Sequence, residues 1–359
     1  MTDGTENNMN RSDDSHMNIL SFISSVRLLD RAYAWYRSRH TEAHANHPFW
    51  SLSFQWDSVK HEVRQALQQG TYQFQPLDVF DSNNNQRILC WQPIDAIVLK
   101  CMTWVLSPLL KKHCDLSLAT HLKYQGGLKK AVREAQSALN TYQHVYKTDI
   151  ADFYASIPHH LLHEQCCSLI PDKRVQNLLG QMMNRVHVYQ GQYRLIDNKG
   201  IPRGCSLSPL LGALYLSSID HYAKQNKIKY IRYMDDFVFF TNSKFQLRRI
   251  IKDVYGMVNQ LGLRLAQAKT WVGRTTKGMD FLGYRLSHSG LSIAQSTWDR
   301  MTAKSSQLYE QGASTLRLHA YAKKWILWAQ SGVKVKTLWL KLKTTLILQN
   351  ICGETLLLE

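Results

Sequence analysis

The stretch Tyr230-Ile231-Arg232-Tyr233-Met234-Asp235-Asp236-Phe237-Val238-Phe239-Phe240-Thr241 sets two adjacent acids between two runs of β-formers. That pattern predicts a hairpin with Asp235 and Asp236 at its tip. Neighbouring carboxylates beside buried strands repel each other and lose solvation, so they need a cation or full contact with water. A solvated Asp-Asp turn satisfies the dipeptide as well, so the rest of the chain has to decide.

Outward from the hairpin, a second acid ends a second apolar strand in Val145-Tyr146-Lys147-Thr148-Asp149-Ile150, followed by Asp152, Phe153 and Tyr154. Phosphoryl transfer is well served by two divalent ions about 3.5–4 Å apart, and carboxylates from two strands suit them. Between the strands lies Gly200-Ile201-Pro202-Arg203-Gly204-Cys205-Ser206-Leu207-Ser208-Pro209. Its glycines allow close approach of the backbone to a ligand, and a helix is expected from Ser208.

The order of these segments resembles that of reverse transcriptases, above all bacterial ones of the group II intron type, over about residues 71–284. Tyr233 to Asp236 is similar to the family's motif C and Asp149 to Ile157 to motif A. The Gly200 to Pro209 loop is similar to motif B, with Arg203 where the family usually has Gln. Leu261-Gly262-Leu263 with Ala268-Lys269-Thr270 resembles motif D, and Phe281-Leu282-Gly283-Tyr284 resembles motif E.

The resemblance implies an α+β right-hand polymerase with fingers, a palm of antiparallel sheet plus helices, and a helical thumb. It implies an RNA-directed DNA polymerase using two Mg²⁺ ions, with Mn²⁺ as a substitute. Asp149, Ile150, Asp235 and Asp236 then form the metal site, with Asp149 and Asp235 bridging both ions and Asp236 in support. Lys269 joins the catalytic group as the donor of a proton to the leaving pyrophosphate. Substrate contacts fall to Tyr154, Arg87, Ile150, Phe153, Arg203, Gly204 and Ser208. Tyr154, five residues after Asp149, stands where the family sets an aromatic ring against the sugar. A ring there clashes with a 2′-hydroxyl and favours deoxynucleotides. Alternation along the segment makes either Phe153 or Tyr154 core. Arg87 offers a fork that suits a triphosphate. Ala119-Thr120-His121 and Gln125-Gly126-Gly127 are carried over as a template-side segment.

Composition agrees with a polyanionic partner: 44 Lys and Arg against 27 Asp and Glu give a net charge of +17, spread along the chain. Seven scattered cysteines without a Cys-x-x-Cys pair read as reduced thiols. The absence of an apolar run of about 18 residues and the polar start predict a cytoplasmic protein with no membrane partner, and the resemblance implies a bacterial one. His159-His160-x-x-His163 with Cys166 and Cys167 offers a rival Zn²⁺ site on one helix.

The expected domains are a disordered start (1–16), mainly helical fingers (17–140), a palm (141–286) and a basic helical thumb (287–359) that includes Lys334, Lys336, Lys341 and Lys343. Within them, single helices are expected over 158–169, 208–224 and 245–261, a polar turn over 81–86, and strands over 144–150 and 279–286. About 75 residues follow motif E, room for a thumb but for no DNA-binding or nuclease domain. A stand-alone enzyme of the phage-defence type is therefore expected, copying a dedicated non-coding RNA into DNA. Its expected partners are that RNA, the DNA product, deoxynucleotides, and a protein partner or second copy. The rival readings are a catalytically silent RNA-binding scaffold of the same fold and an intron maturase or retron-type enzyme.

Overall fold

The computed structural model describes residues 18–81, 87–195, 197–330 and 332–333. The disorder expected for residues 1–16, most of the 81–86 turn and the lysines from 334 onward lie outside them. In chain order the first half forms α1 (Ile19–Ile23), α2 (Val26–Arg37), α3 (Pro48–Gln69), β1 (Leu77–Asp81), β2 (Arg87–Cys90), α4 (Pro93–His113), α5 (Gly127–Thr141) and β3 (His144–Thr148). Then come α6 (Phe153–Ser156), α7 (His159–Leu169), α8 (Lys173–Met183), β4 (Val186–Tyr189), β5 (Gln192–Leu195), α9 (Ser208–Tyr215) and α10 (Ser217–Gln225). The remainder is β6 (Lys229–Tyr233), β7 (Asp236–Thr241), α11 (Lys244–Gln260), β8 (Trp271–Arg274), β9 (Met279–Phe281), β10 (Tyr284–Ser287), β11 (Gly290–Ile293), α12 (Gln295–Glu310) and α13 (Thr315–Gln330). The fold is α+β, as the sequence predicts.

Two units interleave along the chain: Met1–Asp115 with Asp152–Ser217, and Leu116–Ala151 with Ser218–Glu359. In the first, α2, α3 and α4 pack together, and four strands form a sheet of order β2-β1-β4-β5. By length and composition α4 is apolar enough to cross a membrane. Its apolar residues Ile97, Val98, Leu99, Met102, Leu106 and Leu110 are instead buried in this unit, and Asp95 near its start accepts hydrogen bonds from Tyr72 Oη (2.6 Å) and Gln75 N (2.9 Å).

The second unit is built on the antiparallel sheet β6-β7-β3-β8. Alternation sorts its side chains by face. Val145, Ile231, Val238 and Phe240 pack on Ala131, Ala135 and Leu139 of α5. Tyr146, Tyr230, Phe237 and Phe239 turn the other way and pack ring against ring, Tyr230 to Phe239 tilted at 4.7 Å and Tyr146 to Phe239 stacked at 5.7 Å. The α5 core continues into Phe281, Tyr284 and Leu286 of the sheet β11-β10-β9 and into Met301 and Ile326 of α12 and α13.

Two sequence-predicted elements are split. The strand expected over 279–286 is the hairpin β9–β10, turned by Leu282 (φ +48°) and Gly283 (φ +86°), both left-handed as a tight hairpin turn requires. The helix expected over 208–224 breaks at Leu216 into α9 and α10, where the chain passes from the first unit into the second.

Candidate active site

The acidic turn is fixed by three backbone facts. β6 and β7 pair down to Tyr233 opposite Asp236, which leaves Met234 and Asp235 as the turn. Met234 adopts φ +56°, a region that costs an L-residue roughly 1–2 kcal/mol. β3 pairs with β7 up to Thr148 opposite Phe237, so the antiparallel register carries Asp149, the next residue, to the level of Asp236.

The strain at Met234 is held from both ends. Its N–H donates to His121 Nδ1 at 3.1 Å, and its carbonyl accepts from Arg232 Nη1 at 3.2 Å. Arg232 is fully buried and ion-pairs with the buried Asp220 of α10 through Nε (2.8 Å) and Nη2. Tyr230 Oη donates to the same carboxylate at 3.0 Å. The segment Ala119 to His121, read from the sequence as template-side, is stitched to this hairpin: Ala119 bridges Arg232, and Thr120 donates to the Arg232 carbonyl through N (3.3 Å) and Oγ1 (2.5 Å).

None of Arg232, Asp220 or Tyr230 was singled out from the sequence. The available signal was Arg232 itself, a charge inside an apolar strand on the same face as Tyr230, which demands a buried partner.

Asp149 continues beyond β3, anchored by its carbonyl, which accepts from Ala266 N at 2.8 Å, while Ala151 N donates to the Arg264 carbonyl at 2.9 Å. Its carboxylate is buried: Oδ2 takes an ion pair from Lys269, and Oδ1 has no hydrogen-bond partner. Burial, then the charge of Asp149, holds the Asp235 carboxyl well above the ordinary carboxylate range. The same two causes push Asp236 up to about 6, against the opposing charges of Lys147 and Lys269. The hydrogen bond to Asp149 raises Lys269 and keeps it an ammonium. Ile150 is buried, so any ligand contact it makes falls to its main chain.

Of the other sequence-predicted residues, Gln125-Gly126-Gly127 belongs to the second unit, while Arg87, Phe153, Tyr154, Arg203, Gly204 and Ser208 belong to the first. There the Gly200 loop is zipped onto α6: Ile201 N donates to the Tyr154 carbonyl and Gly200 N to the Ile157 carbonyl, each at 2.7 Å. A Cβ on Gly200 would stand 3.0 Å from the Ala155 carbonyl oxygen. Phe153 is core and Tyr154 half-buried, and both rings lie against Gly212, where a Cβ would meet Phe153 at 3.0 Å and Tyr154 at 3.4 Å. Ser208 is buried and donates to the Pro202 carbonyl at 2.7 Å. Arg203 and Gly204 are exposed, and Gly204 (φ +85°) has open space above its Cα. Arg87 lies in β2, its backbone paired with Asp81.

Among the described residues, no three His, Cys, Asp or Glu side chains stand ready-grouped around a metal position. In α7 the reason is that His159 spends both ring nitrogens on Asn184 (3.2 Å) and the Gly200 carbonyl (2.8 Å), while Cys166 is buried. At the acids, the Lys269 ammonium pairs with one oxygen of Asp149 only. The acids nonetheless fit a hard divalent cation, because an orphaned buried carboxylate oxygen beside two carboxyls with raised proton affinity lacks positive charge.

A pH dependence follows. Asp235 and Asp236 bind protons more tightly folded than at the unfolded value of 3.8, so between about pH 4 and pH 7 folding takes up protons and stability falls as pH rises. In a chelator, the melting temperature is expected to drop over that window and to be restored at neutral pH by added Mg²⁺. The Asp235→Asn/Asp236→Asn double variant should show a shallower drop. An equal drop in that variant would locate the effect elsewhere.

A family profile described as reverse transcriptase (RNA-dependent DNA polymerase) matches residues 84–286. The chain is 25% identical over 232 residues to Protein YkfC of Escherichia coli K12, covering 54% of this chain and 60% of that one. It is 19% identical over 350 residues to a putative COX1/OXI3 intron 1 protein of Saccharomyces cerevisiae, covering 80% and 41%. The chain thus spans less than two thirds of the length of these relatives. Among solved structures, a partial Cas6-RT-Cas1–Cas2 complex matches at 21% identity and a TM-score of 0.42, covering 67% of this chain and 42% of that one. The apo telomerase of Candida tropicalis matches at 16% and 0.41, covering 56% and 48%.

Proposed function

The chain belongs to the reverse transcriptase family, and on that premise we propose that it is an RNA-directed DNA polymerase extending a DNA strand from deoxynucleotides along an RNA template. The observation that supports this best is the meeting of Asp149 and the Asp235-Asp236 turn at one end of a single sheet, with Asp149 Oδ1 unsatisfied. Asp149 and Asp235 would hold two Mg²⁺ ions, with Asp236 as supporting charge. When bound, such ions activate the primer 3′-hydroxyl and offset charge on the triphosphate. Lys269, an ammonium ion-paired to Asp149, would give the leaving pyrophosphate its proton.

Sugar selection belongs to Tyr154, whose ring is braced by Phe153 at 5.1 Å and by α9. Tyr154→Ala is expected to lower the preference for deoxynucleotides over ribonucleotides roughly 10- to 100-fold, the scale set by one steric contact. The ratio of the two kcat/KM values measures it, and an unchanged ratio removes Tyr154 from this role.

The proposal is tested by giving purified protein a DNA primer on an RNA template of defined sequence, with deoxynucleotides and Mg²⁺. Product complementary to the template is expected. Incorporation that ignores template sequence, or none, would overturn the reading. As natural template we infer a dedicated non-coding RNA in a phage-defence setting, and sequencing of RNA that co-purifies checks it.

A further inference from the structure

A ladder of cations and aromatic rings runs along a face shared by α2 and α4 in the first unit. The Arg31 guanidinium lies over the Trp104 ring at 4.7 Å, and the Lys100 ammonium lies over Trp35 at 4.5 Å and over Trp104 at 5.3 Å. The Arg39 guanidinium lies over Trp35 at 5.1 Å. Arg31, Trp35 and Arg39 follow at four-residue spacing along and just past α2, as Lys100 and Trp104 do on α4, so three cations alternate with two half-buried rings. Arg27, also exposed, extends the row by one turn.

Simple packing does not account for this face. Leu29 and Ala32 of α2 and Ile97 and Cys101 of α4 already form buried core, so the helices need no row of like charges at their seam. Among the described residues, Arg31 and Arg39 form no ion pair with any carboxylate. The acid next to Arg31, Asp30, is engaged elsewhere, with Trp56 Nε1 (2.8 Å) and Lys60 (3.5 Å). Long basic side chains laid on rings are already ordered, so less rotamer freedom is lost when they grip an anion.

We propose that this ladder is the docking surface for the phosphate backbone of the RNA strand that has not yet been copied. The inference rests on the reverse-transcriptase reading above. The link to the template is α4: Thr103, beside Trp104, hydrogen-bonds Ser206 at 3.1 Å, in the loop that carries Arg203 and Gly204. The ring faces are taken by cations, so contact is to phosphates and ignores base identity.

The test compares the full chain with an Arg31→Gln/Arg39→Gln/Lys100→Gln variant on primer–template duplexes whose RNA template has either a short or a long single-stranded overhang. Wild type is expected to bind the long overhang more tightly. The variant should lose that advantage, by about 100-fold at 0.1 M salt, and its salt slope should fall by about 2, near 0.7 for each lost phosphate contact. Extension of the short-overhang duplex at saturating concentration should stay at the wild-type rate.

An overhang advantage that survives in the variant overturns the proposal. So does an equal loss of affinity for polyglutamate, which would mark the face as one for acidic proteins. Arg31→Lys/Arg39→Lys should retain the advantage, because charge rather than ring packing carries it. If the triple variant does not fold, Arg39→Glu, exposed and beyond the end of α2, is read in the same way. Failure of wild type to extend any primer, with the overhang advantage intact, sinks the polymerase reading and leaves the ladder as an RNA-binding surface.

Discussion

Arg232→Met is expected to cost about 3–5 kcal/mol of folding stability, the usual result of stripping one partner from a buried ion pair. Arg232 and Asp220 are 0% and 2% exposed, and without the guanidinium Asp220 keeps only Tyr230 Oη among the contacts described above. The shift in denaturant midpoint measures the loss. The double variant Arg232→Met/Asp220→Leu should recover most of the stability, since an apolar pair of similar volume avoids the buried charge. Activity should not recover with it. The Met234 carbonyl would still lack its donor, and nothing in an apolar pair holds that residue at φ +56°. A double variant that is both stable and fully active would show that the network only fills space.

Asp235→Asn is expected to reduce incorporation about a thousand-fold, in line with the several kcal/mol that metal-ion charge stabilisation contributes to such transfers. The protein should stay folded. Asn removes a carboxyl whose ionisation burial and Asp149 oppose, so in a chelator near neutral pH its melting temperature should rise above that of wild type. A large loss of activity accompanied by a lower melting temperature would instead mean that Asp235 is a structural residue.

The hairpin and the strand before Asp149 were legible because both are local patterns, apolar runs ending in acids. Their meeting was not readable from periodicity, since it depends on the pairing of Thr148 with Phe237, 89 residues further along the chain in Val238's neighbourhood of the same sheet. The resemblance to a known family supplied it. The turn at Leu282-Gly283 was missed because Leu is an uncommon residue at positive φ, and Gly283 was absorbed into an apolar run. The hairpin β4–β5 was missed because its strands are only four residues each and half-buried or exposed, without a buried face to mark them. The support behind the catalytic turn was invisible for a different reason. Asp220 on a helix meets Arg232 on a strand 12 residues later, and His121 reaches Met234 across 113 residues. No local spacing encodes either contact. The same holds for Lys269, assigned to the triphosphate by resemblance and found paired to Asp149.

Asp149 and the Asp235-Asp236 turn are proposed to form one cation-dependent centre for copying RNA into DNA. The most direct measurement is deoxynucleotide incorporation on a defined RNA template in Mg²⁺, for wild type and Asp149→Asn side by side, with folding of both checked by melting temperature. Template-complementary product from wild type and a loss of about a thousand-fold in a folded Asp149→Asn protein is the expected result. Equal incorporation by both proteins would contradict it.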